Sequence, residues 1–269
     1  MENKKLNISE LYGIPGEAIF ETFIHSDTQE NHKYVQNLPC MIVCPGGAYR
    51  ITSDREAEPI AIDFYNRNYN TFVLRYAVAP ARYPLALTQL ACAVDYVRRH
   101  AEELRVDPNR IFITGFSAGG HLVGSFANLW NELPSDFIDP ATLDCRPNGI
   151  LLGYPVIFPE SHRGSFKNLL GDDYESHPAL PKLILHESVN DNNPPCFIWT
   201  TAEDGSVNPI ATTSYTAALL ARKIRCECHI FPTGGHGSST CDARSNERWE
   251  QYGNAGIWLD LAAEFFSKI

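Results

Sequence analysis

Residues 110–121 read Arg110-Ile-Phe-Ile-Thr-Gly115-Phe-Ser117-Ala-Gly119-Gly-His121, and a small-residue and apolar stretch, Ala118–Leu129, carries on from the serine. The run Arg110–Thr114 is short and rich in isoleucine and phenylalanine, which predicts a buried strand, whereas Ala118–Leu129 is long enough for a helix. A serine between them occupies a strand-to-helix turn. Side chains two residues to either side would collide with the adjacent strand and helix, and both positions are glycine. This is the G-x-S-x-G pattern in the context it requires, with a hydroxyl exposed on a strained backbone. The helix start behind it favours negative charge developing on a nearby oxygen. The competing reading makes Ser117 a helix N-cap in a glycine-rich turn. The preceding strand favours the nucleophile.

Further candidate strands are Ala18–Ile24, Cys40–Cys44, Thr71–Tyr76, Gly149–Tyr154, Cys196–Thr201 and Glu227–Phe231. Most lack strict polar–apolar alternation, as strands covered on both faces do. Helical patterns separate them: Leu87, Leu90, Val94 and Val97 recur at helical spacing, Ile210–Ile224 follows Pro209, and Glu247–Lys268 closes the chain. The alternation predicts a three-layer α/β fold, a mostly parallel central sheet flanked by helices, in one domain over residues 1–269. Residues 157–194 hold several Pro, Gly and His but no clear strand, and are expected as an insertion that forms a partial lid bearing His162 and Phe166.

A serine hydroxyl needs a histidine base, and the base needs an orienting acid. Chains carrying this serine motif order the three as serine, acid, histidine. The strand Cys196–Thr201 is followed by Ala202-Glu-Asp204, and the strand Glu227–Phe231 by Pro-Thr-Gly-Gly-His236. Both follow a strand's C-terminal end, where sites of open α/β sheets form. Asp204 and His236 are therefore the candidate acid and base. Glu203 is the second choice of acid. Asp191 precedes its strand, His229 lies within one and His186 falls in the insertion. An oxyanion needs two backbone donors. Ala118 supplies one, and Pro45-Gly46-Gly47-Ala48-Tyr49, after Cys40–Cys44, supplies the other, with Gly47 preferred over Gly46 or Ala48. Gly46, Ala48, Tyr49, His121 and Tyr154 are further candidates for substrate contact. For Arg55, Glu56 and Glu58, an ion pair beside the oxyanion loop stands against substrate binding.

The formal net charge of −10 argues against nucleic acid or an anionic membrane surface as partner. The charged N-terminus has no apolar stretch behind it, so the chain as it stands reads as cytoplasmic. The eight cysteines include no C-x-x-C pair and read as free thiols.

Several segments carry a resemblance that spans nearly the whole chain. Pro45-Gly-Gly-Ala-Tyr49, Arg55-Glu-Ala-Glu-Pro59, Val73-Leu-Arg-Tyr76, Tyr83-Pro84, Asp107-Pro108, Gly115-Phe-Ser-Ala-Gly-Gly-His121, Tyr154-Pro155-Val156 and Leu169-Leu-Gly171 run in order. Together they resemble the carbohydrate acetyl-esterase-like, or acetylxylan esterase-like, members of the α/β-hydrolase superfamily. The resemblance implies a small-molecule ester substrate, plausibly an acetylated sugar, with no cofactor and no metal. It carries the nucleophile, acid and base onto Ser117, Asp204 and His236. Two positions depart from the family pattern. Ala48 stands where a third glycine is usual, which puts the acyl group in question, and Asn208 stands before Pro209, which bears on the acid loop. A peptidase or lipase on the same fold, and an inert binding protein, are the competing functions. An intact triad argues against the last.

Overall fold

The computed structural model describes all residues 1–269. Its centre is one eight-stranded sheet in the spatial order β1-β2-β4-β3-β5-β6-β7-β8. The strands are β1 (Glu2–Asn7), β2 (Ile19–Ile24), β3 (Leu38–Cys44), β4 (Asn70–Arg75), β5 (Val106–Phe116), β6 (Gly149–Gly153), β7 (Cys196–Thr201) and β8 (Cys226–Phe231). The first two are antiparallel, and the six from β4 to β8 run parallel.

The missing alternation in the sequence has a direct structural cause. Along β3, Cys40, Ile42 and Cys44 join one core, and Met41 and Val43 join the other. The same division separates Ile111 and Ile113 from Phe112 in β5, and Ile198 from Phe197 and Trp199 in β7. Successive side chains point to opposite faces, and here both faces are dry. One is covered by α1 (Ile8–Tyr12), α3 (Leu85–Arg99), α4 (Ala118–Leu129) and α7 (Ile210–Ala221). The other is covered by α2 (Glu58–Tyr65) and α8 (Trp258–Ser267). Each large side chain enclosed this way contributes about 2 kcal/mol. On the second face Trp199 and Trp258 stack with ring centres 5.0 Å apart, which seats α8 against the sheet.

Three elements differ from the sequence reading. β1 was not expected: its lysines are exposed on an edge strand, where charge protects against further pairing and hides the strand pattern. β5 begins four residues early, but the pairing with β3 jumps from Leu38–Val106 to Cys40–Ile111, so Asp107–Arg110 bulge out of register. The C-terminal helix is shorter than Glu247–Lys268. Two 3₁₀ turns, Trp249–Tyr252 and Ala255–Ile257, precede α8, separated at Gly253, whose φ is 53°. Residues 154–195 form no strand and hold two short helices, α5 (Arg163–Leu170) and α6 (Leu180–Leu183). All eight cysteines are unpaired, six of them buried. No helix is long and apolar enough to cross a membrane.

The first turn of α4 lies directly against the end of β3. A Cβ on Gly119 would lie 2.2 Å from the Cys44 carbonyl oxygen and 2.5 Å from that of Pro45, whereas one on Gly205 would meet nothing within 4 Å. Gly119→Ala must push backbone against backbone. It is expected to cost at least about 2 kcal/mol in urea denaturation, with Gly205→Ala within about 0.5 kcal/mol of wild type.

Candidate active site

Ser117 sits between β5 and α4 with φ 53° and ψ −120°, a conformation that costs about 1–3 kcal/mol and persists only when its surroundings impose it. They do so by hydrogen bonds on both sides. The Ser117 N–H donates to the Gly153 carbonyl at 3.0 Å, and its own carbonyl accepts from Val156 and His121, each at 3.1 Å. β6 and the segment after it thus clamp the turn. Gly115 is required for the same reason as Gly119, since a Cβ there would fall 2.2 Å from the Gly119 oxygen.

The structure brings Ser117, His236 and Asp204 into a line. Ser117 Oγ lies 2.8 Å from His236 Nε2, and His236 Nδ1 lies 2.7 Å from Asp204 Oδ2. The other carboxylate oxygen of Asp204 accepts the N–H groups of Ser206 and Val207, both at 2.9 Å. With the carboxylate accepting at Nδ1, that nitrogen carries the proton and Nε2 is free to accept from the serine hydroxyl. Glu203 has a different part: its Oε2 accepts the Gly234 N–H at 3.1 Å, tying the histidine loop to the acid loop. Thr201 Oγ1 reinforces the tie by donating to the Gly234 carbonyl at 2.6 Å. Of the remaining rivals, Asp191 pairs with Arg222 on the surface, His229 with Glu227, and His186 packs on Phe158.

The loop after β3 offers the second set of donors. Neither the Gly47 nor the Ala48 N–H is taken up by another backbone group, and Ala118, as the first residue of α4, has no intrahelical acceptor for its own. Gly46 differs, because its N–H donates to Glu56 Oε2 at 2.8 Å. Gly47, Ala48, Ser117 and His236 line a cleft of about 340 Å³, whose wall includes Arg50, Arg55, His162 and Ser206 and only two hydrophobic residues.

Three residues expected at the cleft lie beneath it instead. Tyr49, His121 and Tyr154 are each at most 2% exposed. Tyr49 Oη is 2.8 Å from His121 Nδ1, and His121 Nε2 is 2.9 Å from the Leu183 carbonyl. The carbonyl can only accept, so Nε2 carries the proton and the tyrosine donates to Nδ1. Tyr154 Oη donates to Glu56 Oε1 at 2.7 Å and accepts the Ser239 N–H at 2.9 Å. A buried Glu56 therefore joins the oxyanion loop, through Gly46, to the histidine loop, through Tyr154 and Ser239. Short-range sequence patterns hold no sign of this bridge, which spans residues 46 to 239. The ion pair expected for Glu56 is absent: its partners are a backbone amide and a phenol. Burial raises the Tyr154 phenol well above its usual range, with the Glu56 charge adding to it.

Burial also lowers the His121 pKa to about 4, against the opposing hydrogen bond to Leu183. Unfolded, the ring titrates near 6.5, so the unfolded chain binds the extra proton first as pH falls. The stability this group contributes is complete above pH 6.5 and is lost between 6.5 and 4. Between pH 7 and pH 5 the wild type is expected to lose roughly 2 kcal/mol that a His121→Gln variant keeps. Denaturant titrations of both proteins at the two pH values measure the difference; equal losses would contradict a neutral buried ring.

A model of the family described as BD-FAE matches residues 27–144. The chain is 34% identical over 216 residues to endo-1,4-beta-xylanase B of Butyrivibrio fibrisolvens, covering 78% of this chain and 34% of that protein. It is 27% identical over 200 residues to an acetylxylan esterase of Xylanibacter ruminicola, covering 72% and 39%. The chain thus spans roughly a third to two fifths of the length of these curated relatives. Among solved structures it resembles the acetyl ester-xyloside bifunctional hydrolase from Caldicellulosiruptor lactoaceticus, with a TM-score of 0.84 and 30% identity over 98% of this chain and 96% of the other. It also resembles a carboxylesterase from Lactobacillus plantarum, with a TM-score of 0.83 and 28% identity over 99% and 96%. The near-complete mutual coverage of the first of these, together with the shared parallel sheet, identifies the family: the chain belongs to the carbohydrate acetyl-esterase-like family of the α/β-hydrolase superfamily.

Proposed function

We propose that the chain is a serine carboxylic-ester hydrolase acting on short acyl esters, in particular O-acetyl groups on sugars. The observation that carries this reading is the hydrogen-bonded line from Ser117 Oγ through His236 to Asp204, facing a loop with free backbone N–H groups. A mostly polar cleft with Ala48 and Ile51 as its hydrophobic residues suits a small acyl group and a hydroxylated alcohol better than a lipid chain. The names of the relatives point the same way.

In this mechanism His236 Nε2 takes the Ser117 proton as Oγ attacks the ester carbonyl carbon. The carbonyl π electrons move to the oxygen, which the N–H groups of Gly47 and Ala118 stabilise. The tetrahedral intermediate collapses, the C–O bond to the alcohol breaks, and His236 hands its proton to the departing oxygen. Water, activated by the same nitrogen, then attacks the acyl-serine and releases the carboxylic acid. Asp204 holds the imidazole with its proton at Nδ1 and stabilises the charged ring. The Ser206 and Val207 amides keep the carboxylate in place.

Initial rates on p-nitrophenyl acetate, butyrate and octanoate test this directly. Acetate is expected to be cleaved fastest, and Ser117→Ala to lose at least about a thousandfold in kcat. Equal rates for the two proteins would remove Ser117 as nucleophile. Tyr154→Phe leaves Glu56 Oε1 and the Ser239 N–H without their partner, loosening both loops at once. Its expected effect is about a tenfold loss in kcat with KM far less changed, since the substrate itself does not touch the phenol.

A further inference from the structure

Resting on the ester-hydrolase reading, we infer that the cleft selects esters whose alcohol portion carries a carboxylate, as in an O-acetylated sugar acid, with Arg55 as the principal anchor and Arg50 and His162 completing the site.

In a chain of net charge −10 the cleft wall carries two arginines against one carboxylate. Arg50 and Arg55 both line it, and neither joins an ion pair, whereas Arg67, Arg75 and Arg244 each hold two carboxylates. The acid beside Arg55 in sequence, Asp54, is taken by Arg75 at 2.8 Å. The carboxylate in the wall, Glu56, has both oxygens occupied by Gly46 and Tyr154. Glu56 keeps its charge but is committed to those two donors, so no carboxylate of the cleft forms an ion pair with either guanidinium group.

Arg55 is also held in position without being used up. Its carbonyl accepts the Ser239 hydroxyl, and Nη1 makes long contacts of 3.4 Å to the Ser245 carbonyl and 3.5 Å to Asn246 Oδ1. Nη2 lies 3.3 Å from where a Cβ of Gly237 would stand. Gly237, with φ 74°, leaves room for the guanidinium beside the histidine loop. This location identifies which half of the ester it meets. His236 returns its proton to the departing alcohol oxygen, so a group next to His236 faces the alcohol and not the acyl chain.

His162 adds a donor of fixed direction. Its Nδ1 accepts the Ser165 N–H at 3.1 Å, so the neutral ring carries its proton on Nε2. Burial, and then the nearby His236, holds its pKa below the usual value and keeps the ring neutral. An N–H donor and two guanidinium groups are complementary to a carboxylate among hydroxyls.

The test uses the full chain and two probes of nearly the same shape that differ in charge: an O-acetylated methyl glucuronoside with a free carboxylate, and the corresponding primary carboxamide, which is neutral and adds no second ester. The acid is expected to show about tenfold higher kcat/KM, a modest factor because the arginines are solvent-exposed. Arg55→Gln brings the ratio to about one through KM, Arg55→Lys restores part of it, and 0.5 M NaCl reduces it in the wild type. Equal kcat/KM for the two probes in the wild type overturns the inference, as does a ratio unaffected by Arg55→Gln. If that variant fails to fold, Arg50→Gln and the salt titration decide by the same ratio. Hydrolysis of p-nitrophenyl acetate separates the two readings. If it is cleaved and the probes are not distinguished, only the charge preference falls; if it is not cleaved, the esterase reading falls with it.

Discussion

The backbone of Ser117, held at φ 53° between the end of β5 and the start of α4, is the constraint around which the remaining parts are arranged. A turn of that shape needs glycines on both sides, because Gly115 and Gly119 sit where any Cβ would strike backbone. It needs β6 as a neighbour, because the Gly153 carbonyl and the Val156 amide hold the turn from above and below. The strain is local and its compensation is distributed over the parallel sheet, whose two dry faces supply the burial that a single strained residue draws on. The parallel arrangement also sets where strands end. β3, β5, β7 and β8 all finish at one edge, so the loops bearing Gly47, Ser117, Asp204 and His236 converge there.

A layer of buried polar groups lies under these loops and keeps them in register. Glu56 accepts from Gly46 on one side and from Tyr154 on the other, and Tyr154 accepts from Ser239, three residues after His236. Tyr76 donates to the Pro45 carbonyl at 2.6 Å, and Tyr49, His121 and Leu183 form a second chain of bonds. Buried groups of this kind cost desolvation and return it only when each is satisfied, so a network with its donors and acceptors matched favours one arrangement of the loops over others. That rigidity suits a site whose donors must already point at an oxyanion before it forms. The network also draws the phenols and the imidazole, which the sequence offers as candidates for substrate contact, into the layer beneath the cleft. They are close to the reacting serine in sequence or in space, yet their polar atoms face each other.

The cleft itself separates two kinds of charge. The carboxylates near it, Glu56 and Asp204, are enclosed and hydrogen-bonded, while Arg50 and Arg55 stand at the surface. A protein with a surplus of acid elsewhere therefore presents a donor-rich mouth, and what it admits is governed by side chains on the loops, with the sheet acting as support.

Much was determined by the sequence alone. The serine turn, the alternation of short apolar runs with helical patterns, and the placement of Asp204 and His236 after strand ends are local signals. They are legible because a tight turn or a doubly buried strand admits few residue types. The glycine loop after β3 was legible in the same way, though which of its amides stay free was not: Gly46 donates to Glu56, while Gly47 and Ala48 have no backbone acceptor. Only the tertiary structure decided what depends on distant segments meeting. The lysine-bearing edge strand β1 became a strand by pairing with β2. The bulge at Asp107–Arg110 arose from its register with β3. Glu203 was separated from Asp204 because one carboxylate reached the Gly234 amide and the other the imidazole. Glu56 acquired its bridging place from residues 98 and 10 positions away. Hydrogen-bond partners and burial are properties of the folded arrangement, and a linear pattern carries them only where the partners are neighbours in the chain.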